Sequence, residues 1–416
     1  MLSKKLFLSS IVLFVLVSLP LISSVGASSD IWSRTYGGKY EDVAYSVVET
    51  SDGGFALAGW RRPSLGEHSD LWLVKTDAYG NMEWNGTFGG IEEETAYSLV
   101  ETSDGGFAAA GFTKSFGAGL ADFWLVKTDF YGNMEWNKTY GGAKEDYANY
   151  MMITSDGGFA LAGYTNSFGV DGFDFLMVKT DNYGNIEWYR TYGGLAYEKA
   201  IYLVEESDGG YVLAGTSSSS ERDDIFWLVK IDRFGNMMWN KSIGLEMYSS
   251  VVKTSDGGFA LYGGIVENIW SFSYTTWLIK TDAYGNVLWN QTYGSTYPES
   301  FPKYSLVETT DGGFAFAGGN RLNKTDACGN MEWSRIYNGI IHSLDITSNG
   351  GYVLAGEIPS ETGRSDFWLI KTDQYGIIPE FPSWLILPLF LTVTLVVAIF
   401  RRKLSKTSNP AFILGS

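Results

Sequence analysis

The chain has 416 residues, 45% of them hydrophobic and 16% aromatic, which is enough apolar material for a large folded core. Its formal net charge is −17, and all 47 acidic residues lie between basic residues near the two ends. A body this acidic repels phosphate backbones, so we expect no nucleic-acid partner. Two histidines and one cysteine, Cys328, argue against a zinc site or an imidazole-based catalytic triad.

The N-terminus has the layout of a secretory signal peptide. Lys4 and Lys5 precede the apolar run of residues 6–17, and a stretch of small residues ends at Ala27. We therefore expect residues 1–27 to be removed near Ala27. The alternative is an uncleaved N-terminal anchor, since the small residues only approximate an A-x-A site.

The body, residues 30–376, repeats one unit whose clearest copy covers residues 44–85. Two acidic turn positions recur seven times each, so we number the copies 1 to 7 in chain order. The first series is Asp52, Asp104, Asp156, Asp208, Asp256, Asp311 and, as an amide, Asn349; the second is Asp77, Asp129, Asp181, Asp232, Asp282, Asp326 and Asp373.

Each copy contains four short apolar runs bounded by turn residues, a pattern typical of four antiparallel strands. Four-stranded units recurring about every fifty residues are the blades of a β-propeller. The sequence therefore predicts an all-β fold over residues 30–376, a seven-bladed β-propeller of four-stranded antiparallel blades.

A tryptophan marks the fourth strand of each copy but the last. It occurs at Trp84 and at the matching position in copies 2 to 6, whereas copy 7 stops at Gly376 without one. A further such strand, containing Trp32, stands alone before copy 1. We predict that this N-terminal strand completes the last blade and closes the ring, which removes open sheet edges.

The C-terminal region predicts a membrane anchor. After the short linker of residues 377–380, residues 381–400 carry no charge and are long enough, at about 30 Å as a helix, to span a bilayer. Basic residues begin at Arg401, so residues 401–416 are expected to be a cytoplasmic tail and the body to lie outside the cell.

Two features of the repeat resemble known propeller families. Residues 73–77 (LVKTD), followed by Gly80 and Trp84, resemble PQQ-like propeller repeats, and the Gly53-Gly54-Phe55 step is similar to kelch repeats. These resemblances imply the fold but not an activity, since propellers host many functions. Quinone dehydrogenases of the first family usually have eight blades and a neighbouring cysteine pair, which this chain does not match.

The tail resembles the PEF-type C-terminal sorting signal of archaeal surface proteins. Its motif is Pro379-Glu380-Phe381, followed by the apolar run and the basic cluster. The resemblance implies an archaeal origin, recognition by a membrane archaeosortase and removal of the tail. This chain continues to Ser416, beyond the point where such tails stop, so a plain single-span anchor remains the alternative.

Acidic residues recur just before the first strand of the early copies. The loops that carry them are expected to converge on one mouth of the axial channel, where they can bind Ca²⁺ or a cationic partner. No other cofactor is predicted. The alternative is that each acid accepts hydrogen bonds from backbone N–H groups where the strand begins. The residues are Asp42, Glu94, Asp146 and Glu198.

The most variable segments are the loops between the second and third strands of each copy. Their aromatic residues are candidates for stacking on sugar rings: Trp60, Phe112, Tyr164 and Trp270. Five sequons predict glycosylation, four of them directly after the fourth-strand tryptophan: Asn85, Asn137, Asn240, Asn290 and, in another position, Asn323.

The sequence favours a membrane-anchored, extracellular module of the cell surface that binds or adheres to a surface glycan or protein. One alternative is a purely structural component of the envelope. Another is an extracellular hydrolase or lyase that uses carboxylates such as Asp42 or Glu94, although the sequence contains no catalytic constellation that we identify.

Overall fold

The computed structural model describes residues 31–170, 172–218, 224–243, 249–268, 273–293, 305–360 and 364–378. Residues 30–377 form one compact unit. All regular elements among the described residues are β-strands, and none of these residues forms a helix that could cross a membrane. The predicted signal peptide, sorting motif, membrane helix and basic tail all lie outside the described residues.

The first part of the chain forms antiparallel four-stranded sheets in chain order. Strand β1 (Trp32–Tyr36) comes first and joins the last sheet. The first three four-stranded sheets are β2 (Asp42–Glu49), β3 (Phe55–Arg61), β4 (Asp70–Thr76) and β5 (Met82–Phe88); β6 (Glu94–Glu101), β7 (Phe107–Thr113), β8 (Asp122–Thr128) and β9 (Met134–Tyr140); and β10 (Asp146–Ile153), β11 (Phe159–Thr165), β12 (Asp174–Thr180) and β13 (Ile186–Tyr192).

The remaining strands form two more four-stranded sheets and one larger sheet. The fourth sheet is β14 (Tyr197–Glu205), β15 (Tyr211–Ser218), β16 (Asp224–Ile231) and β17 (Met237–Ile243), and the fifth is β18 (Ser249–Lys253), β19 (Phe259–Asn268), β20 (Ser273–Thr281) and β21 (Val287–Tyr293). The sixth contains β22 (Ser305–Glu308), β23 (Phe314–Thr325), β24 (Met331–Ile346), β25 (Tyr352–Pro359) and β26 (Ser365–Thr372), in the order β1-β26-β25-β24-β23-β22.

The prediction of seven blades was wrong, because the described residues form six sheets and the protein is a six-bladed β-propeller. Copies 6 and 7 share the six-stranded sheet. Strand β23 runs without a break from its pairing with β22 to its pairing with β24, and β24 continues from copy 6 into copy 7. Gly319 pairs directly with Ile341, so the backbone bonds link the two copies into one sheet. Because β23 contains both the second and third strands of copy 6, no loop is left at which the sheets of copies 6 and 7 could separate.

The N-terminal strand does pair with the last copy, as the sequence predicts. Strand β1 lies antiparallel to β26, with Trp32 opposite Lys371. It also contacts copy 1, because Trp32 Nε1 donates to the Ala78 carbonyl (3.2 Å) and the Tyr36 hydroxyl to the Gly80 carbonyl (2.7 Å). Strand β1 therefore joins the two ends of the ring.

A contact like that of Trp32, between a fourth-strand tryptophan and a turn of the next copy, joins successive copies. Trp84 Nε1 donates to the Phe130 carbonyl (3.1 Å) of copy 2, and its ring covers Gly132. That glycine has φ of +80°, and an added Cβ would lie 2.6 Å from the ring. The further contacts of this kind are Trp32 over Gly80, Trp136 over Gly184, Trp188 over Gly235, Trp289 over Gly329 and Trp333 over Gly376.

The core lies between the sheets. The apolar cluster between the first two sheets takes Leu71 and Leu73 from one and Leu99 and Phe107 from the other. A sheet of this kind buries its apolar face only against its neighbours, so the described body depends on every junction.

The two faces of the ring differ. We call the face that carries the Asp52 and Asp77 turns the lower face. The starts of β2 and β4 and the end of β3 lie at the opposite face, because Asp42 pairs with Arg61 and Arg61 with Asp70. We call this the upper face.

A buried lysine holds the lower face of most copies together. Lys75 is 1% exposed and donates to Asp52 and Glu83, each at 2.9 Å. Burial opposes the ionisation of Asp52, but hydrogen bonds from Lys75, Thr50 and the backbone N–H of Gly54 outweigh it and lower the pKa to about 2. Lys127, Lys179 and Lys324 make the same two ion pairs in their copies.

We predict that Gly132→Ala destabilises the protein more than Gly53→Ala. Both glycines have positive φ, but an added Cβ meets nothing within 4 Å at Gly53. Only the first substitution displaces a docked tryptophan, so its additional cost in unfolding free energy should be about 1–3 kcal/mol. Urea unfolding of the full-length protein followed by circular dichroism measures the difference. Equal losses in the two variants would show that the docking contact contributes nothing.

We also predict that stability falls as the pH drops below 4. Five turn acids have folded pKa values of about 2, against about 3.9 in an unfolded chain: Asp52, Asp104, Asp156, Asp256 and Asp311. Because these pKa values are depressed, the stability is present above pH 4 and is lost as pH falls through 2.

Thermal melting between pH 7 and pH 2 tests this dependence. Asp104→Asn should lower the melting temperature at pH 7 and make its acid dependence shallower, with the exposed Glu67→Gln as control. Each ion pair should contribute little on its own, because the acids are 39% to 58% exposed. A wild-type melting temperature that is constant between pH 4 and pH 2 would contradict the prediction.

Candidate functional site

The first strand of several copies carries a β-bulge near its start. The inner strands neighbour one another around the ring, and their registers shift between Ala44 and Ser46 in β2 and between Ala96 and Ser98 in β6. A bulge re-aims the extra side chain. The extra residues are Tyr45, Tyr97, Asn149, Ile201 and, in the second half of β24, His342.

The bulged tyrosines form part of a continuous row of rings on the upper face. Tyr45 lies 5.2 Å from Tyr97, which belongs to the next copy, and 5.2 Å from His342 of copy 7. We call the whole row the aromatic arc: Tyr45, Tyr97, Phe112, Tyr147, Tyr164 and Phe173, with His342 at one end and Tyr197 at the other.

Neighbouring rings of the aromatic arc are tilted or edge-on, with centroids 4.9 to 6.2 Å apart. This is the preferred range for aromatic pairs, so the rings support one another. Phe112 is buried, the tyrosines at positions 45, 97, 147 and 164 are half-buried, and Tyr197 is exposed. The arc thus presents a preformed, partly open apolar surface.

Polar groups surround the arc. Burial raises the pKa of Tyr147 and of Tyr164, so both hydroxyls stay protonated at neutral pH and can donate hydrogen bonds. The Lys199 ammonium lies over the Tyr164 ring, 5.1 Å from its centroid. The Glu93–Lys114 ion pair (2.6 Å) lies at the same face. Aromatic surface bordered by donors and acceptors is typical of sites that bind polar organic ligands.

The structure brings two of the predicted aromatic residues into the arc. Phe112 contacts Tyr97 and Tyr147, and Tyr164 contacts Tyr147. Trp60 lies beside the arc, with its Nε1 donating to the Tyr45 hydroxyl (3.4 Å). Trp270 lies outside the described residues.

Sequence reasoning missed the tyrosines at positions 45, 97 and 147. A signal was present, because an aromatic residue follows Asp42 and Glu94 by three positions. The repeat made those tyrosines resemble scaffold residues, and no local pattern marks a bulge.

The four predicted acids lie at the starts of β2, β6, β10 and β14, where they are buried instead of opening into the channel mouth. Each accepts a backbone hydrogen bond, as in Gly90 N–H to Glu94 (2.8 Å) and Gly142 N–H to Asp146 (2.8 Å). This is the role that the sequence left open as an alternative. Their exposed fractions are 1% for Asp42, 0% for Glu94, 0% for Asp146 and 4% for Glu198.

Each of these acids faces a second carboxylate, from the third strand of the preceding copy. A Cβ added at the intervening glycine would clash with both, which accounts for glycine at Gly37, Gly89, Gly141 and Gly193. The pairs are Asp366 with Asp42, Asp70 with Glu94, Asp122 with Asp146, and Asp174 with Glu198. The sequence contains the third-strand aspartates at a regular spacing, but not their contact across the junction.

Burial raises the pKa of at least one acid in each of these pairs. The pKa of Asp42 rises to about 6, mainly by burial, although Arg61 opposes the shift. The pKa of Asp122 also rises because of burial, and the charge of Asp146 adds to the effect. In the described part of the chain, no three or more His, Cys, Asp or Glu side chains group in a way that could hold a metal ion.

Four of the sequon asparagines, Asn85, Asn137, Asn240 and Asn290, are exposed on the outer strands. Asn323 is 8% exposed within β23. Cys328 is exposed in a lower-face turn. These positions do not come together with the aromatic arc.

No family model matches the chain. It is 27% identical over 161 residues to the regulatory protein FlaEY of Caulobacter vibrioides (strain ATCC 19089 / CIP 103742 / CB 15). That match covers 33% of this chain and 17% of the relative, so the chain spans only a small part of the relative's length.

Among solved structures, the chain is similar to Sqt1 from Chaetomium thermophilum, with 12% identity, a TM-score of 0.49 and coverage of 78% of this chain and 82% of that one. It is also similar to a protein of unknown function from Dyadobacter fermentans DSM 18053, with 10% identity, a TM-score of 0.48 and coverage of 82% of this chain and 99% of that one. For BBS1N in complex with ARL6DN, the identity is 11%, the TM-score is 0.48, and the coverage is 85% of this chain and 97% of that one. The chain is a repeat protein with a β-propeller fold.

Proposed function

We propose that this protein is a binding module that recognises a neutral glycan by stacking sugar rings on the aromatic arc. The observation that carries the proposal is the unbroken row of contacting aromatic rings from Tyr45 through Tyr97 to Phe173. The row lies on the upper face and extends over copies 1 to 3. Sugar rings have apolar C–H faces, and amphipathic aromatic side chains match them at a low entropic cost.

The shape and charge of the surface narrow the ligand class. A row of rings over several copies fits an extended chain better than a single sugar. The net charge of −17 disfavours polyanionic polysaccharides. Tyrosine hydroxyls and the Lys199 and Lys114 ammonium groups supply hydrogen bonds to sugar hydroxyls.

The scaffold supports this role because every ring of the arc except Phe173 lies on a strand, several of them at bulges. Tyr45 and Tyr97 are held by the backbone pairing of the residues on either side of them in β2 and β6. Sites built on regular elements keep their geometry before a ligand arrives, which lowers the ordering cost of binding. By contrast, the hydrolase alternative requires an accessible acid, and Asp42 and Glu94 are both buried.

The module is proposed to act at the cell surface as an adhesion protein. The apolar run of residues 381–400 and the basic residues that follow favour a single membrane anchor with the body outside. The Pro379-Glu380-Phe381 motif supports sorting by an archaeosortase, and the exposed sequons at Asn85 and Asn137 are positions where glycans fit.

Binding can be tested with full-length protein on an array of neutral and acidic polysaccharides. We predict binding to neutral glycans, with Tyr147→Ala and Tyr164→Ala each weakening it about tenfold, which corresponds to about 1.4 kcal/mol of lost stacking. Tyr164→Phe keeps the ring and should retain most of the affinity.

The matched control is Tyr131→Ala, which removes a tyrosine that is 73% exposed in a lower-face turn. It should leave binding unchanged. Absence of binding to any carbohydrate, or an equal loss in the control, would refute the glycan proposal.

The proposed location at the cell surface can be tested separately. Protease added to intact source cells should digest the body, and deletion of residues 381–416 should release the protein into the medium. Protection of the body in intact cells, with digestion only after lysis, would contradict a surface location.

A further inference from the structure

One junction between copies contains two buried carboxylates that no side chain among the described residues neutralises. Asp122 begins β8 in copy 2, and Asp146 begins β10 in copy 3. Their backbones are adjacent, since Asp146 N–H donates to the Ala121 carbonyl (2.8 Å). Their exposed fractions are 1% and 0%. Both side chains border Gly141 closely enough to exclude a Cβ there.

In each of these two carboxylates, only one of the two oxygen atoms accepts hydrogen bonds. Asp122 Oδ2 accepts from the N–H groups of Ala118 (2.8 Å) and Gly119 (3.0 Å). Asp146 Oδ2 accepts from Gly142 N–H (2.8 Å) and the Ser167 hydroxyl (2.7 Å). The two Oδ1 atoms are buried and have no hydrogen-bond partner. A buried oxygen atom without a hydrogen-bond partner costs folding free energy, and a bound cation would remove that cost.

A comparison with copy 1 shows what the junction lacks. Asp42, which corresponds to Asp146, has the Arg61 guanidinium beside it, with Nε 3.9 Å from its Oδ1. Arg61 is the cross-strand neighbour of Asp42, and the residue in the same register opposite Asp146 is Thr165. The chain therefore supplies a cation at one junction and a neutral hydroxyl at the other.

We propose that Asp122 and Asp146 bind a Ca²⁺ ion that links copies 2 and 3. Ca²⁺ prefers oxygen ligands, including carboxylates, backbone carbonyls and water, and tolerates irregular geometry. The two carboxylates supply both negative charge and free oxygen atoms, and water completes the coordination. The acidic body concentrates divalent cations around the site.

This site differs from a ring of acids open at the channel mouth. It uses the first residue of a third strand, Asp122, and it lies within a junction between copies. Its occupation stabilises the packing of the sheets of copies 2 and 3, which also carry Phe112 and Tyr147 of the aromatic arc. The proposal does not depend on what the arc binds.

Calcium titration of the full-length, EGTA-treated protein tests the site. We expect isothermal titration calorimetry with CaCl₂ to detect binding with Kd of about 10⁻⁴ to 10⁻³ M, typical of extracellular sites. We also expect 10 mM CaCl₂ to raise the melting temperature by a few degrees, roughly as mass action requires, and MgCl₂ to raise it less.

Two substitutions remove the charges with little change in shape. Asp122→Asn and Asp146→Asn should each weaken Ca²⁺ binding at least about tenfold and abolish most of the shift in melting temperature, because each removes one anionic ligand. The control Asp129→Asn, in a lower-face turn, should keep the wild-type shift.

A third variant should create a Ca²⁺ site instead of removing one, so it tests the proposal even if Asp122→Asn and Asp146→Asn fail to fold. Arg61→Thr gives copy 1 the residue type found in copy 3, so the Asp366–Asp42 junction should gain a Ca²⁺-dependent increase in melting temperature. The inference is overturned if Ca²⁺ leaves the wild-type melting temperature unchanged, or if the Asp122 and Asp146 variants respond as the wild type does. Stabilisation by acidification to pH 5 without any effect of Ca²⁺ would also overturn it, in favour of a proton shared by the pair.

Discussion

The docking of an outer tryptophan on the turn glycine of the next copy is the constraint on which the ring depends. A single sheet of this type leaves one face apolar, so it is stable only when the next sheet covers it. The Trp84 ring can approach Gly132 closely because that residue has no Cβ and adopts positive φ. Each junction needs a partner on both sides, and β1 provides the last one by placing Trp32 over Gly80.

Much of this architecture could be predicted from sequence. The recurring turn acids, the strand pattern and the isolated Trp32 strand led to the propeller fold and to the pairing of β1 with β26. The number of blades could not be predicted by counting copies. Whether two copies form two sheets depends on whether a loop separates their strands, and Gly319 instead pairs with Ile341. Repeats count sequence units, whereas blades are defined by backbone hydrogen bonds.

The candidate site shows a similar division. Phe112 and Tyr164 were found because variable loops on a rigid scaffold often bind ligands. Tyr45 and Tyr97 were not, because the bulges that place them change register without changing the residue pattern. The acids at Glu94 and Asp146 were found, but their burial and their pairing with Asp70 and Asp122 arise from contacts between copies. A pattern within one copy contains no information on those contacts.

The carboxylates on the two faces of the ring have different neighbours. On the lower face, carboxylates such as Asp52 contact a buried lysine, which lowers their pKa and stabilises the fold at neutral pH. At the upper-face junctions, buried carboxylates face other carboxylates, and burial raises the pKa of Asp42 and Asp122. A raised pKa means that ionisation at neutral pH costs stability. On the lower face, acids and lysines therefore neutralise one another, whereas ionisation of the paired carboxylates costs stability on the upper face, which is also where the aromatic arc lies.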